Sequence, residues 1–300
     1  MSTSVHRRLR VLSLIGLVTL LLAACGGAPA AQPTTAPAAT TDTPQPTIVV
    51  TYSVLGSVVR ELVGDTATVI VSMPNGQDPH EWEPSAKDIE TIMKADLVVQ
   101  NGLGLEGGME KTLAQAQAAG VRFFTASEHI TIRTVGAGEG LPTGDPDQAV
   151  GAEDPHLWMD PLAMKAVVAA LATQMKTDLG LDLGERATSL ETRLDTLNTE
   201  IAAEVAKLPE ARRKLVTGHE SLGYFAQRYA FTLVGAIIPA ITSQAEVSAA
   251  DLASLKQLIT TNQVPAIFTE LGTPPQVAQA IGQEAGVKVV ELTTHNLPDD

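Results

Sequence analysis

From residue 48 onward, short runs of β-branched and aliphatic residues alternate with stretches whose apolar positions recur every three or four residues. Thr47–Thr51, Ala67–Ser72, Leu97–Gln100 and Val121–Thr125 read as strands. Helices are expected between them: one capped by Ser53 and running through Val63, one from the capping-box-like Ser85-Ala86-Lys87-Asp88 to about Lys94, and one over Gly108–Ala119. Residues 133–155, rich in Gly, Pro, Asp and Glu, break the alternation and read as a long acidic loop. Pro161 then opens a helix to about Asp178. The longest amphipathic stretch follows. Leu190, Leu194, Leu197, Ile201, Val205 and Leu208 form one stripe of a helix from about Leu183 to Leu208, stopped by Pro209.

Beyond that helix the alternation restarts. Lys214–Thr217, Thr232–Gly235, Ala266–Glu270 and Val287–Glu291 read as strands. Leu222–Arg228, a Ser248-capped segment to about Thr261, and Pro274–Ala285 read as helices. Strands alternating with helices imply largely parallel, helix-covered sheets. The expected fold is therefore α/β, with two lobes joined by one long helix: residues 48–181, the helix 182–209, and residues 210–300.

Composition changes the picture at the N-terminus. His6, Arg7, Arg8 and Arg10 form a basic start, Val11–Leu22 is an apolar run, and Leu22-Ala23-Ala24-Cys25 supplies small residues before a cysteine. This reads as a secretory signal, residues 1–24, ending in a lipobox, and it resembles bacterial lipoprotein signals. Cys25 is the expected lipidation site, which implies an extracytoplasmic chain anchored to the bacterial cell membrane. It is the only cysteine, so disulfides, Cys-ligated metals and thiol catalysis are excluded. Residues 26–47 carry one charge, Asp42, among Ala, Pro, Thr, Gln and Gly; with Cys25 they form an extended tether. The leader holds three of the 20 basic residues, so the remainder sets 17 against 34 acidic ones, a net charge of about −17. That argues against a nucleic-acid partner and mildly favours a cationic ligand.

The histidines carry the candidate chemistry. Four of the six, His80, His156, His219 and His295, fall at intervals of 76, 63 and 76 residues. Each lies in a polar or Pro/Gly-marked stretch past an apolar run. Two share a local signature, Asp78-Pro79-His80 and Asp154-Pro155-His156. Ligands of α/β sheets bind beyond the carboxyl ends of strands, and imidazole is the commonest ligand for zinc-like metals. Two histidines from each lobe would place an ion in the cleft between lobes. Asp78, Asp154, Asp160 and Glu220 are candidate partners for the second ring nitrogens; the sequence does not choose among them. His129 is expected at the surface.

Three stretches carry a family resemblance: Gly76-Gln77-Asp78-Pro79-His80-Glu81-Trp82-Glu83-Pro84-Ser85, Asp154-Pro155-His156-Leu157-Trp158-Met159-Asp160-Pro161, and Val216-Thr217-Gly218-His219-Glu220-Ser221-Leu222-Gly223-Tyr224-Phe225. With them the chain resembles the substrate-binding lipoproteins of bacterial zinc/manganese ABC transporters, the cluster A-I type, over nearly all of 48–300. The resemblance implies metal ligands at His80, His156 and His219. Its fourth ligand is often an Asp; Thr294-His295-Asn296-Leu297 stands there instead, with Glu270 as a fallback carboxylate. Four nitrogens favour Zn²⁺ over Mn²⁺, the alternative cargo. A membrane permease and a separate ATPase subunit are the implied partners, since the chain has no Walker-type loop, and a monomer is expected. The family continues with a loop and a final helix, so beyond Asp300 either the second lobe goes without that cover or the sequence is incomplete. Two other readings stand beside transport. A zinc hydrolase would want His-Glu-x-x-His, but Gly223 follows where the second His would stand, and no enzymatic activity is expected. A surface adhesin would hold metal only incidentally. Residues 136–154 gather negative charge that would attract cations, or they are simply a solvated insert.

Overall fold

The computed structural model describes residues 44–139 and 149–298. The expected signal, Cys25, most of the tether and the middle of the acidic loop lie outside the described residues. Two four-stranded parallel sheets organise the rest. In the first, β1 (Thr47–Val50) is flanked by β2 (Thr68–Val71) and β3 (Leu97–Gln100), with β4 (Phe123–Thr125) outside β3. The second repeats this order: β5 (Lys214–Thr217) lies between β6 (Thr232–Ala236) and β7 (Ala266–Thr269), with β8 (Lys288–Glu291) outside β7. The strand order in each sheet reverses beside its first strand, which opens a crevice at the carboxyl ends.

Alternation along the central strands explains the layering. Ile48 and Val50 of β1 point into a cluster with Leu55, Val59 and Leu62 of α1 (Ser53–Val63) and Val167, Val168 and Leu171 of α4 (Pro161–Leu179). Val49 points the other way, onto Ile92 of α2 (Ala86–Met93) and Leu113 and Ala116 of α3 (Glu110–Ala118). A strand buried on both faces must be apolar on both, as β1 and β3 are. In the second lobe, Val216 packs with Leu255 and Ile259 of α7 (Ala249–Asn262) and Ala278 and Ile281 of α8 (Pro275–Ala285). Leu215 faces Ala226 of α6 (Gly223–Tyr229).

Pro161 opens α4 as expected, and of the three serine caps two follow their sequence signals and one does not. Ser85 and Ser248 each accept the N–H three residues on, while Asp88 and Asp251 close the reciprocal bond. Ser53 does not cap α1. It is the first helical residue, Tyr52 takes the extended cap position, and the Ser53 hydroxyl is buried without a partner. The amphipathic helix α5 (Gly184–Ala206) buries Ala187 and Leu190 against α4 and α1, but Leu197 at its middle is 44% exposed. Its stripe outruns the core it lies on. Among the described residues, no helix is long and apolar enough to cross a membrane.

Candidate metal centre

The two Asp-Pro-His stretches fold into the same turn. The Asp78 carboxylate accepts the His80 backbone N–H at 2.9 Å, and Asp154 accepts that of His156 at 3.0 Å. An Asp side chain that bonds two residues on makes an Asx-turn, and the intervening proline fixes φ within it. The first turn lies between β2 and α2. The second ends the acidic loop, whose base is closed by a bridge from Thr134 to Glu153. A single turn of 3₁₀ helix, Leu157–Met159, then leads to Asp160, which caps α4 by accepting the Leu162 N–H.

His219 follows β5 at the crevice. Its backbone N–H donates to Glu270 at 2.8 Å, and the Gly218 N–H donates to the same carboxylate at 3.3 Å. Gly218 has no room for a side chain, because a Cβ there would overlap Thr273 and press on Glu270. His295 follows β8 in a segment without regular structure.

These four segments bring four imidazoles together. One ring nitrogen from each lies within 4.8 Å of the other three. Nε2 of His156 is 3.2 Å from Nε2 of His80 and 3.2 Å from Nε2 of His219. Ring centroids lie between 4.9 Å (His219 to His295) and 6.3 Å (His80 to His295). Tetrahedral zinc with Zn–N bonds of 2.0–2.1 Å would space its ligand nitrogens about 3.3 Å apart. All four rings are buried, and the His295 Nε2 has no hydrogen-bond partner.

Burial shifts three of the four. It lowers the pKa of His80, His156 and His295, and the neighbouring imidazoles push the same way. For His156 the Asp154 carboxylate works against that shift. Burial favours the neutral form of these three rings, whose lone pairs can then face a cation.

Residues 48–300 match the family of ZnuA, the periplasmic component A of the zinc-uptake complex. The chain belongs to this family. It is 30% identical over 290 residues to the high-affinity zinc uptake system protein ZnuA of Bacillus subtilis, covering 94% of this chain and 87% of that protein. It is 25% identical over 246 residues to the manganese-binding lipoprotein MntA of Halalkalibacterium halodurans, covering 81% and 76%. The solved structure of the periplasmic zinc-binding protein TroA from Treponema pallidum superposes with a TM-score of 0.71 at 25% identity, covering 85% of this chain and 91% of that one. The two-lobed α/β fold is that of the family.

Within this fold, two of the candidate carboxylates reach a ring. Asp154 meets His156 Nδ1 at 2.8 Å. Glu270 lies 2.8 Å from His219 Nδ1, although the ring N–H is poorly aligned for a hydrogen bond. The distance supports an electrostatic contact, and the well-formed bond from Glu270 is the one to the His219 backbone. Glu270 thus holds the His219 backbone and lies beside its ring.

The other three carboxylates do different work. Asp160 pairs with Arg228 of α6 through Nε at 2.9 Å and Nη2 at 2.5 Å, in addition to capping α4. Asp78 holds the His80 backbone, and its second oxygen is buried without a partner. Glu220 is buried with one unpartnered oxygen, and burial raises its pKa to about 7. None of the three hydrogen-bonds a histidine ring. His129 is exposed, as expected, and stacks on Phe124 with centroids 4.6 Å apart.

Sequence reasoning missed Arg133. Buried at the start of the acidic loop, it donates to the free oxygen of Asp154 at 3.0 Å and pairs with Glu139. Its backbone N–H donates to the Tyr224 hydroxyl of the second lobe at 3.0 Å. A lone arginine in a loop carries no local signal for this. A cleft of about 600 Å³ between residues 129–133, α4 and α6 is lined by Arg133, Asp160, Tyr224 and Arg228, and it holds none of the four histidines.

Proposed function

We propose that His80, His156, His219 and His295 bind one Zn²⁺ as cargo, and that the chain is the solute-binding component of an ABC transporter. The observation that carries this is the convergence of four buried imidazoles, two from each lobe, with one nitrogen of each within 4.8 Å of the others and the two spacings from His156 Nε2, 3.2 Å each, close to those of tetrahedral zinc. The family to which the chain belongs is that of the periplasmic component A of the zinc-uptake complex. A permease and a separate ATPase subunit would receive and drive the cargo. The chain works as a monomer outside the cytoplasm, held to the membrane through lipid on Cys25. Two acyl chains suffice for stable anchoring.

Manganese is the second reading, because several relatives are named for it. The donor set weighs against it. Manganese prefers carboxylate and water oxygens, whereas neutral imidazole suits zinc. A hydrolytic role would need a metal position open to water, and the fourth imidazole fills that position.

The test is competition titration of the full chain with Zn²⁺ against a chromogenic chelator. One tight site per chain is expected. His80→Ala, His156→Ala, His219→Ala and His295→Ala should each weaken it by tenfold or more. Unchanged affinity in any of the four removes that residue from the set, and Mn²⁺ outcompeting Zn²⁺ at equal concentration reverses the choice of cargo.

A further inference from the structure

The segment that carries His295 is built differently from those that carry the other three histidines. His80 and His156 are fixed by turns closed by Asp78 and Asp154, and His219 by Glu270 of its own lobe. Residues 293–298 belong to no strand or helix. The last main-chain bond that ties this stretch to its own lobe is Leu292 N–H to the Thr269 carbonyl, at 2.7 Å. Beyond it, among the described residues, every main-chain hydrogen bond runs to the other lobe. The Trp158 indole N–H donates to the Thr294 carbonyl at 2.7 Å. The Asn75 amide donates to the Leu297 carbonyl at 3.0 Å, and its oxygen accepts the Leu297 N–H at 2.7 Å.

The two donors sit beside the first-lobe histidines. Asn75 is five residues before His80, and Trp158 is two after His156. The Trp158 ring also packs edge-on between His156 and His295, with centroids 5.3 Å from each. Separating the lobes would remove all three bonds at once. His295 itself has only the neighbouring Thr294 hydroxyl on its Nδ1, and no carboxylate.

We infer that Asn75 and Trp158 are positioning residues that strap the 293–298 segment across the cleft, so that His295 reaches the ion only when the lobes are closed. This rests on the four-histidine reading of the site. Neither residue is a ligand: Asn75 is exposed, and its side-chain bonds go to Leu297. The effect of the hydrogen bonds they make to Thr294 and Leu297 should therefore run through His295.

A double-mutant cycle on the full chain tests this, read by Zn²⁺ affinity and by the visible spectrum of the Co²⁺-loaded protein. Four-coordinate Co²⁺ absorbs far more strongly than five- or six-coordinate Co²⁺. Asn75→Ala should weaken Zn²⁺ about tenfold, the low end of what outer-shell changes cause, and lower the Co²⁺ absorption. In a His295→Ala background the same change should have less than a twofold effect. Trp158→Phe keeps the ring and removes the N–H, and should behave likewise. Asn75→Asp, which keeps the acceptor and loses the donor, should fall between. Equal weakening by Asn75→Ala in both backgrounds, or an unchanged Co²⁺ spectrum, overturns the strap while leaving the site intact. A His295→Ala protein with parental affinity and spectrum overturns the four-histidine site, and the strap with it.

Discussion

Each of the four imidazoles is braced in its own way, and the differences set what substitution should do. His156 has the firmest support: Asp154 bonds both its backbone and its ring, and Arg133 bonds Asp154 from behind. Asp154→Asn keeps the shape but offers the ring a weaker acceptor. It should reduce Zn²⁺ affinity about 10–100-fold, measured by chelator competition, while Asp160→Asn should leave affinity within about twofold because Asp160 serves α4 and Arg228. This distinction was not legible in the sequence. Asp78 and Asp154 stand in identical Asp-Pro-His contexts and make the same turn, yet only Asp154 reaches a ring. The deciding factor is where β2 and the acidic loop deliver their turns, which is tertiary. Glu270 was legible only as a strand-end carboxylate, since 51 residues separate it from the histidine it braces.

At the scale of elements, local signals told most where the chemistry is local. The apolar runs at Leu97–Gln100 and Lys214–Thr217 are strands with those same bounds. Ser85 and Ser248 cap helices because their boxes need nothing beyond three residues. Replacing Ser248 with Ala should destabilise the protein by about 1 kcal/mol, seen in urea unfolding. The α5 stripe shows the limit. Periodicity states which face is apolar but not whether a partner covers it, and Leu197 lies bare where Leu171 of α4 is fully buried. Leu171→Ala should therefore cost about 2–5 kcal/mol, and Leu197→Ala no more than about 0.5 kcal/mol. Equal losses at the two positions would mean that α5 is covered in solution.

Across the whole molecule, the cleft is closed by side chains from both lobes. Gln244 bonds the His80 carbonyl, Tyr224 accepts from Arg133, Arg228 pairs with Asp160, and Asn75 and Trp158 hold the last described segment. The arrangement couples shape, charge and cargo. His80, His156 and His295 have folded-state pKa values lowered by burial, so below the ordinary imidazole value of about 6.5 the unfolded chain takes up protons that the folded one resists. Stability contributed by keeping them neutral is present above that pH and is lost as pH falls through it. Glu220, raised to about 7, acts oppositely, losing stability as pH rises from its ordinary value towards 7. Glu106, a second buried carboxyl raised by desolvation, acts in the same sense as Glu220, and three imidazoles against these two carboxyls set the net sign. The Tm of the metal-free protein should fall between pH 7 and pH 5, and Zn²⁺ affinity should fall over the same range as protons compete for the nitrogens. A Tm that rises on acidification would contradict the buried, neutral cluster.

The central claim is that four imidazoles hold a single zinc ion between the lobes, and X-ray absorption at the zinc edge of the full chain loaded with one equivalent reads it most directly. The expected spectrum is four nitrogen donors at about 2.0–2.1 Å, with the outer-shell scattering of four imidazole rings. Oxygen donors in the first shell, three imidazoles with a water, or a six-coordinate ion would contradict it.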